Sequence, residues 1–372
     1  MCDVPMTRRV LSSRAPAISP AISVVMPVYN GVDMLPEALD SLAAQSFGDF
    51  EVVVVDDCST DATRAMVAQW PDPRVRLVTM DANGGPVLAR NRGMAEARGR
   101  FVAALDHDDV CRPDRFARQF AYLEANPAVV LVGSAAAVLR NGRIGRSLHP
   151  ATTTPALVDW LMAIENPLVW SSVMMRGDAA RRLDPFMRPD RVYAEDFDLY
   201  QRIRRFGAIA RLDAVLVDYR VHPGGVSKRF VERMEDSAVQ VLMERHAALF
   251  GAEAEAVARL LVLHVSARRP VPDRAALIAL GAALRRILAA FFATRETVGE
   301  ADRRLILRDT ARRWRLIGRT GLRAGTLGIG DLLAVRPGPV DRGLSALGYT
   351  EPAALLWSGI VGGGRRAGRL FG

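Results

Sequence analysis

A chain of 372 residues, half of them apolar and 24% charged, has the composition of a soluble globular protein with room for one large domain and an appendage, or for two domains. Three scattered cysteines (Cys2, Cys58, Cys111) exclude a disulfide framework and have no metal-ligand spacing, which suits a reducing compartment. The net charge of +9 rests on arginine, with Lys228 the sole lysine, and reads as compositional bias; no aromatic-interleaved basic strand or recognition helix argues for nucleic acid, while weak attraction to anionic lipid stays open.

Residues 1–20 hold Arg8, Arg9 and Arg14 without an apolar core, and are expected to form a disordered leader rather than a secretory signal. Residues 22–28 form a short apolar run that ends in the turn cluster Pro27-Val28-Tyr29-Asn30-Gly31. Leu35, Leu39 and Leu42 then keep helical spacing. The β-branched run 51–55 is stopped by Asp56-Asp57. A helix over 60–70, a strand over 75–78 and a helix over 86–98 follow, and the strand 101–105 is stopped by Asp106-His107-Asp108-Asp109. This order predicts an α/β fold, a mostly parallel sheet flanked by helices. Such sheets bind ligands outside the carboxyl ends of their strands. Here those ends carry Asn30, Asp56 with Asp57, and Asp106 with Asp108.

A helix over 114–124 and a strand over 129–139 come next. The Thr- and Pro-rich stretch 144–167 reads as a loop-bearing insertion, followed by a strand over 169–175, a helix over 194–206 and a last strand over 211–221. Three parts are expected: the leader 1–20, a catalytic domain 21–228, and a helical region 229–372 with a Gly/Pro-rich tail. Within the last, residues 275–293 are apolar enough to suggest a membrane span. Arg285 and Arg286 at the centre cost about 5–7 kcal/mol against about 3–5 kcal/mol returned, so a span is rejected. Leu277, Leu280, Leu284, Ile287 and Phe291 instead form the stripe of an amphipathic helix.

Two carboxylates at a strand end, Asp106 and Asp108, repel unless a cation lies between them, and a divalent ion held by them and by substrate phosphates resolves this. A solvated acidic turn is the plainer alternative. Asp56 and Asp57 offer acceptors for a nucleobase or ribose, or cap the helix that follows. Asn83-Gly84-Gly85 with Arg90 suits a diphosphate at a helix start, and equally an ordinary turn. Asp196 shares the buried stripe of Leu199 and Ile203, so it faces inward as a general base or serves only the helix dipole. His222, before Pro223-Gly224-Gly225, either ligates the metal, touches a phosphate or sits in a surface turn.

Taken together, the segments Val24 to Gly31, Val53 to Asp61, Ala89-Arg90-Asn91-Arg92-Gly93, Leu105 to Asp109, Glu195 to Leu199 and Tyr219-Arg220-Val221-His222-Pro223 resemble the inverting family 2 glycosyltransferases of the GT-A fold, over about residues 20–228. The resemblance implies that Pro27, Val28, Tyr29 and Asn30, with Asp56 and Asp57, hold the nucleotide, with Asn83 and Arg90 toward the diphosphate. It implies Asp108 as the metal ligand, Asp106 toward the ribose or metal, His222 as a metal or diphosphate contact, Asp196 as the general base and Glu195 at the acceptor site. The expected cofactor is Mn²⁺ or Mg²⁺. The expected donor is a UDP-, GDP- or dTDP-sugar, and the acceptor a glycan or lipid-linked hydroxyl in bacterial surface-polysaccharide assembly. The expected location is the cytoplasm, with peripheral contact at the inner face of the membrane. The Gln-x-x-Arg-Trp motif of processive synthases has no counterpart beyond Arg313-Trp314, so single addition is expected. A nucleotidyltransferase would need a lysine near the first strand, and a non-catalytic nucleotide-sugar scaffold would not need Asp108 and Asp196.

Overall fold

The computed structural model describes residues 19–147, 152–225, 229–295 and 298–335; the expected tail beyond 335 and nearly all of the leader lie outside them. Four strands, β1 (Ile22–Val28), β2 (Phe50–Asp56), β3 (Val75–Thr79) and β4 (Phe101–Ala104), pair in parallel in the order β3-β2-β1-β4. The helices α1 (Leu35–Ala43), α2 (Thr63–Ala68) and α3 (Gly85–Glu96) connect them. Every residue of β1 and β2 is buried, as expected of parallel strands covered on both faces, which explains their unbroken apolar runs.

Beyond β4 the sheet becomes mixed. The short β5 (Val110–Cys111) is followed by α4 (Arg115–Ala125), β6 (Val129–Arg140) and β7 (Arg143–Ser147). Next come α5 (Pro155–Leu161), β8 (Met174–Arg176), α6 (Gly177–Arg181), α7 (Glu195–Ile203) and β9 (Ala208–Arg220). The order continues β4-β8-β6-β9-β5, with β7 hairpinned onto β6. β8 runs antiparallel to both neighbours, β6 and β9 are parallel, and β5 folds back antiparallel on β9.

The stretch expected to be a loop, 144–167, contains β7 and α5. Asn141 and Gly142 adopt φ of 49° and 72°, the left-handed pair that closes a tight hairpin, and Thr154 caps α5 by accepting the Leu157 N–H at 3.2 Å. The strand expected over 169–175 opens as a 3-10 turn at Trp170–Ser172, where the Ser172 hydroxyl donates to the Val169 carbonyl at 2.7 Å; only Met174–Arg176 joins the sheet.

The C-terminal helices are α8 (Val231–Phe250), α9 (Ala254–Leu260), which runs into a π-turn over Leu261–Ser266, α10 (Arg274–Ala293), α11 (Glu300–Ala324) and α12 (Ile329–Ala334). They share one core with the sheet domain, in which Leu157, Trp160, Ile164 and Phe197 pack with Leu242, Leu261, Leu280 and Ile287. Among the described residues α10 is the one helix long and apolar enough to cross a membrane. Its predicted stripe, Leu277, Leu280, Leu284, Ile287 and Phe291, is buried in this core, and the Phe291 ring meets Trp160 edge-on at 5.6 Å.

Candidate active site

The carboxyl ends of β1 and β2 are tied together by their loops. Asn30, at φ 49°, donates its N–H to the Ser59 hydroxyl at 2.9 Å and accepts the Thr60 N–H at 2.8 Å, while Gly31 donates to the Thr63 hydroxyl at 2.9 Å. Fully buried Asp56 accepts from the Ser59 N–H (3.2 Å) and the Arg64 Nε (2.9 Å). Asp57 accepts the Gly84 and Gly85 N–H groups at 2.7 and 2.8 Å, and the Asn83 amide donates to its backbone carbonyl at 2.9 Å. Asp57 therefore caps α3, one helix later than the cap position read from the sequence. Its carboxyl is pushed above the usual range by burial, against those two amides. Pro27 and Val28 are buried at the end of β1, whereas the Tyr29 ring beside them is half exposed and free to stack on a base.

Beyond β4 the chain turns through Asp106, Asp108 and Asp109, whose carboxylates each offer an oxygen within 4.8 Å of the others. Three contacts hold this turn. The Asp106 N–H donates to the Ser171 hydroxyl at 3.0 Å, the Arg220 N–H donates to Asp109 Oδ1 at 2.8 Å, and Arg220 Nε donates to the Asp108 carbonyl at 2.7 Å. The β5–β9 pairing delivers Arg220 and, two residues on, His222, whose Nε2 lies 3.0 Å from Asp108 Oδ2. Asp109 is buried and its Oδ2 has no partner; burial and the charges of Asp108 and Asp106 push its carboxyl well above the usual range. Crowded hard oxygen donors, one of them orphaned, beside an imidazole fit Mn²⁺ or Mg²⁺. Gly31 closes the gap to the first two loops, since a Cβ there would stand 2.7 Å from the His107 ring.

The third wall is the start of α7. Arg90, one turn and a half into α3, pairs with Asp106 at 2.8 Å and with Glu195, and lies 5.1 Å over the Trp170 ring. Burial opposes its charge, but Asp106 and Glu195 outweigh that and raise its pKa. The cation expected at the diphosphate is thus placed between two carboxylates from distant segments. Asp196 accepts its own neighbour's N–H, from Phe197, at 2.7 Å and the Asn166 amide at 2.9 Å. Burial and the charge of Glu195 raise its pKa to about 6, against Asn166, Phe197 and Arg90.

The structure therefore gathers Asp106, Asp108 and His222 on one wall, Arg90, Glu195 and Asp196 on the next, and Pro27, Val28, Tyr29, Asn30, Asp56, Asp57 and Asn83 at the third edge. Sequence reasoning did not single out Asp109 as a member of the acidic cluster, though it stands inside the acidic run. It also missed Trp170 and Asn166, which no motif or spacing signals.

A sheet whose strand ends carry an exposed aromatic ring and an acidic turn suited to a divalent ion belongs to the GT-A class of glycosyltransferases. The pattern of glycosyl transferase family 2 matches residues 23–181. The chain is 44% identical over 153 residues to the succinoglycan biosynthesis protein ExoO of Rhizobium meliloti, covering 39% of this chain and 44% of that one, so it spans less than half of ExoO. It is 30% identical over 214 residues to the amylovoran biosynthesis glycosyltransferase AmsE of Erwinia amylovora, covering 56% of this chain and 79% of that one. In fold it is similar to S. aureus TarS 1-349, solved in complex with UDP-GlcNAc, with a TM-score of 0.53 at 19% identity, over 93% of this chain and 92% of that one. The chain belongs to glycosyl transferase family 2.

Proposed function

We propose that the protein transfers a single sugar, with inversion, from a nucleoside-diphosphate sugar to an acceptor hydroxyl. The observation that carries this reading is the pairing, through Arg90, of the acidic metal-type turn with Glu195, which places the neighbouring Asp196, its carboxyl raised to about 6 by burial, beside that turn. In it, Asp196 takes the proton of the acceptor hydroxyl as that oxygen attacks the anomeric carbon, and the bond to the diphosphate breaks on the opposite face. Glu195, expected at the acceptor site, is buried and serves through its pairing with Arg90, beside the base. Asp108 and His222, with Asp106, would hold Mn²⁺ or Mg²⁺, which supplies Lewis-acid neutralisation of the leaving diphosphate. Tyr29 and Asn30, backed by the buried Pro27, Val28, Asp56 and Asp57, frame the nucleotide, and Asn83, held on the Asp57 carbonyl, borders the diphosphate.

UDP is the nucleotide favoured among UDP, GDP and dTDP, on the strength of the UDP-GlcNAc complex of TarS. The names of ExoO and AmsE support an acceptor in surface-polysaccharide assembly, a glycan or a lipid-linked one. In this reading residues 21–228 carry the chemistry and the region after 228 braces it and meets the inner face of the cytoplasmic membrane. Nucleic acid is no partner.

The test is release of nucleoside diphosphate by purified protein from UDP-, GDP- and dTDP-sugars, with acceptor extracts, in Mn²⁺ or EDTA. Metal-dependent release with one donor is expected, lost in Asp108→Ala and cut by at least about a hundredfold in Asp196→Asn. No calorimetric binding of any donor would overturn the assignment.

A further inference from the structure

The general base of this reading does not stand alone. Asp196 Oδ1 is occupied by the Phe197 N–H, and Oδ2 is met by the amide of Asn166. The orientation of that amide is fixed from its other end: Asn166 Oδ1 accepts the Leu168 N–H at 3.2 Å. A flipped amide would lose this bond and turn its oxygen on the carboxylate, so the group facing Asp196 is the donor.

The segment that carries Asn166 is gripped from four elements. Gln201 of α7 donates to the Met162 carbonyl at 2.8 Å. His246 of α8 lies 2.7 Å from the Ala163 carbonyl; burial pushes its pKa down to about 4, so the neutral ring donates through Nε2. Arg211 of β9 donates to the Pro167 carbonyl at 3.4 Å. Arg313 of α11 pairs with Glu165 at 2.7 Å and is itself fixed by Asp309 at 2.5 Å. Two of these four grips come from the helical C-terminal region.

We infer that Asn166 is the positioning residue of the base. Its amide aims Asp196 and favours its ionised form, and the pair that Arg313 of α11 makes with Glu165 holds Asn166 in place, making the C-terminal region part of the catalytic apparatus. The inference rests on Asp196 being the base. The charged and titratable groups around Asp196 are Glu195 and Tyr200 on its own helix and Arg90 on α3. Glu195 opposes ionisation and Arg90 supports it, both already locked in the ion pair with each other. Asn166 is the neutral side-chain donor that adds to Arg90 and to the Phe197 N–H, and neither Arg90 nor Glu195 bonds to it.

The experiment is the pH profile of kcat and KM for transfer by the full chain, for wild type, Asn166→Ala, Glu165→Gln and Asp196→Asn, with melting curves as the fold control. Wild-type kcat/KM should rise through about pH 6. In Asn166→Ala the acid limb should move up by about one unit, with about a fivefold lower kcat at pH 6, most of it regained near pH 9, and an unchanged KM for the donor. Glu165→Gln should move the limb the same way by less. If Asn166→Ala melts below the assay temperature, Asn166→Leu, of similar volume, takes its place. An inactive Asp196→Asn beside an Asn166 variant whose profile superimposes on wild type overturns the inference alone. A fully active Asp196→Asn overturns the base assignment and the inference with it. An unshifted Glu165→Gln beside a shifted Asn166→Ala removes α11 from the mechanism.

Discussion

At the scale of single residues the site is organised by Arg90. Asp106 ends a strand and Glu195 starts a helix, and only a planar fork can satisfy both from one position. Glu195 is nearly inaccessible, and the side chain of Arg90 is 9% exposed. Removing the cation strands a buried carboxylate. Arg90→Met should cost about 3–5 kcal/mol, as expected for half of a buried pair, and Arg90→Lys should fall between, since one ammonium cannot span both acids. Thermal melts of the three proteins check this, and a Met variant as stable as wild type would show that the bridge contributes nothing. The acids themselves were legible, because a polar residue just past a buried apolar run marks a strand end. Their partner was not. Arg90 and Glu195 are 105 residues apart, and nothing local to either one encodes the meeting.

At the scale of elements, α3 bears on both the sheet and the site. A Cβ added at Gly93 would stand 2.5 Å from Val25 Cγ1 and 3.2 Å from Val55 Cγ2, so the helix lies as close to β1 and β2 as a bare backbone allows. Gly93→Ala must lift the helix or move two strand valines. We expect a loss of about 1–3 kcal/mol. Because Arg90 rides one turn earlier on the same helix, activity should fall further than the fraction unfolded at the assay temperature. Melting curves and turnover measured together separate the two, and activity that tracks folded fraction would show that α3 moves without disturbing Arg90. The parallel strands of this layer could be read because burial on both faces leaves unbroken apolar runs. β7 could not, since all five of its residues are exposed and no alternation marks it. α5 could not either: it is seven residues long, and Trp160 and Leu161 are buried against helices a hundred residues away.

At the scale of the whole molecule, α11 has two faces with different duties. Ile306, Asp309, Thr310, Ile317 and Leu322 face inward, and Arg313 joins them through Glu165. Outward lie Arg304, Arg308, Arg312, Leu316 and Arg323, all exposed, recurring mostly at intervals of four along about six turns. Leu332 of α12 packs against Gly318 of α11, and α12 exposes Ile329 and Leu333. Cations ringed around aliphatic side chains suit an anionic bilayer, where each arginine near the surface contributes about 1 kcal/mol at low salt. Reversing two of them, Arg304→Glu with Arg308→Glu, should weaken binding to vesicles rich in phosphatidylglycerol by well over tenfold. Neutral phosphatidylcholine vesicles should not bind, and about 0.5 M salt should release the wild type. Flotation of wild type and the double variant reads all three. Neither substitution touches the inward face, so transfer to a soluble acceptor should be unchanged in the variant. If wild type stays at the bottom of the gradient with every lipid, the stripe is an ordinary solvated face; if it floats equally well with neutral lipid, the aliphatic residues alone hold it and the arginines have no part in docking.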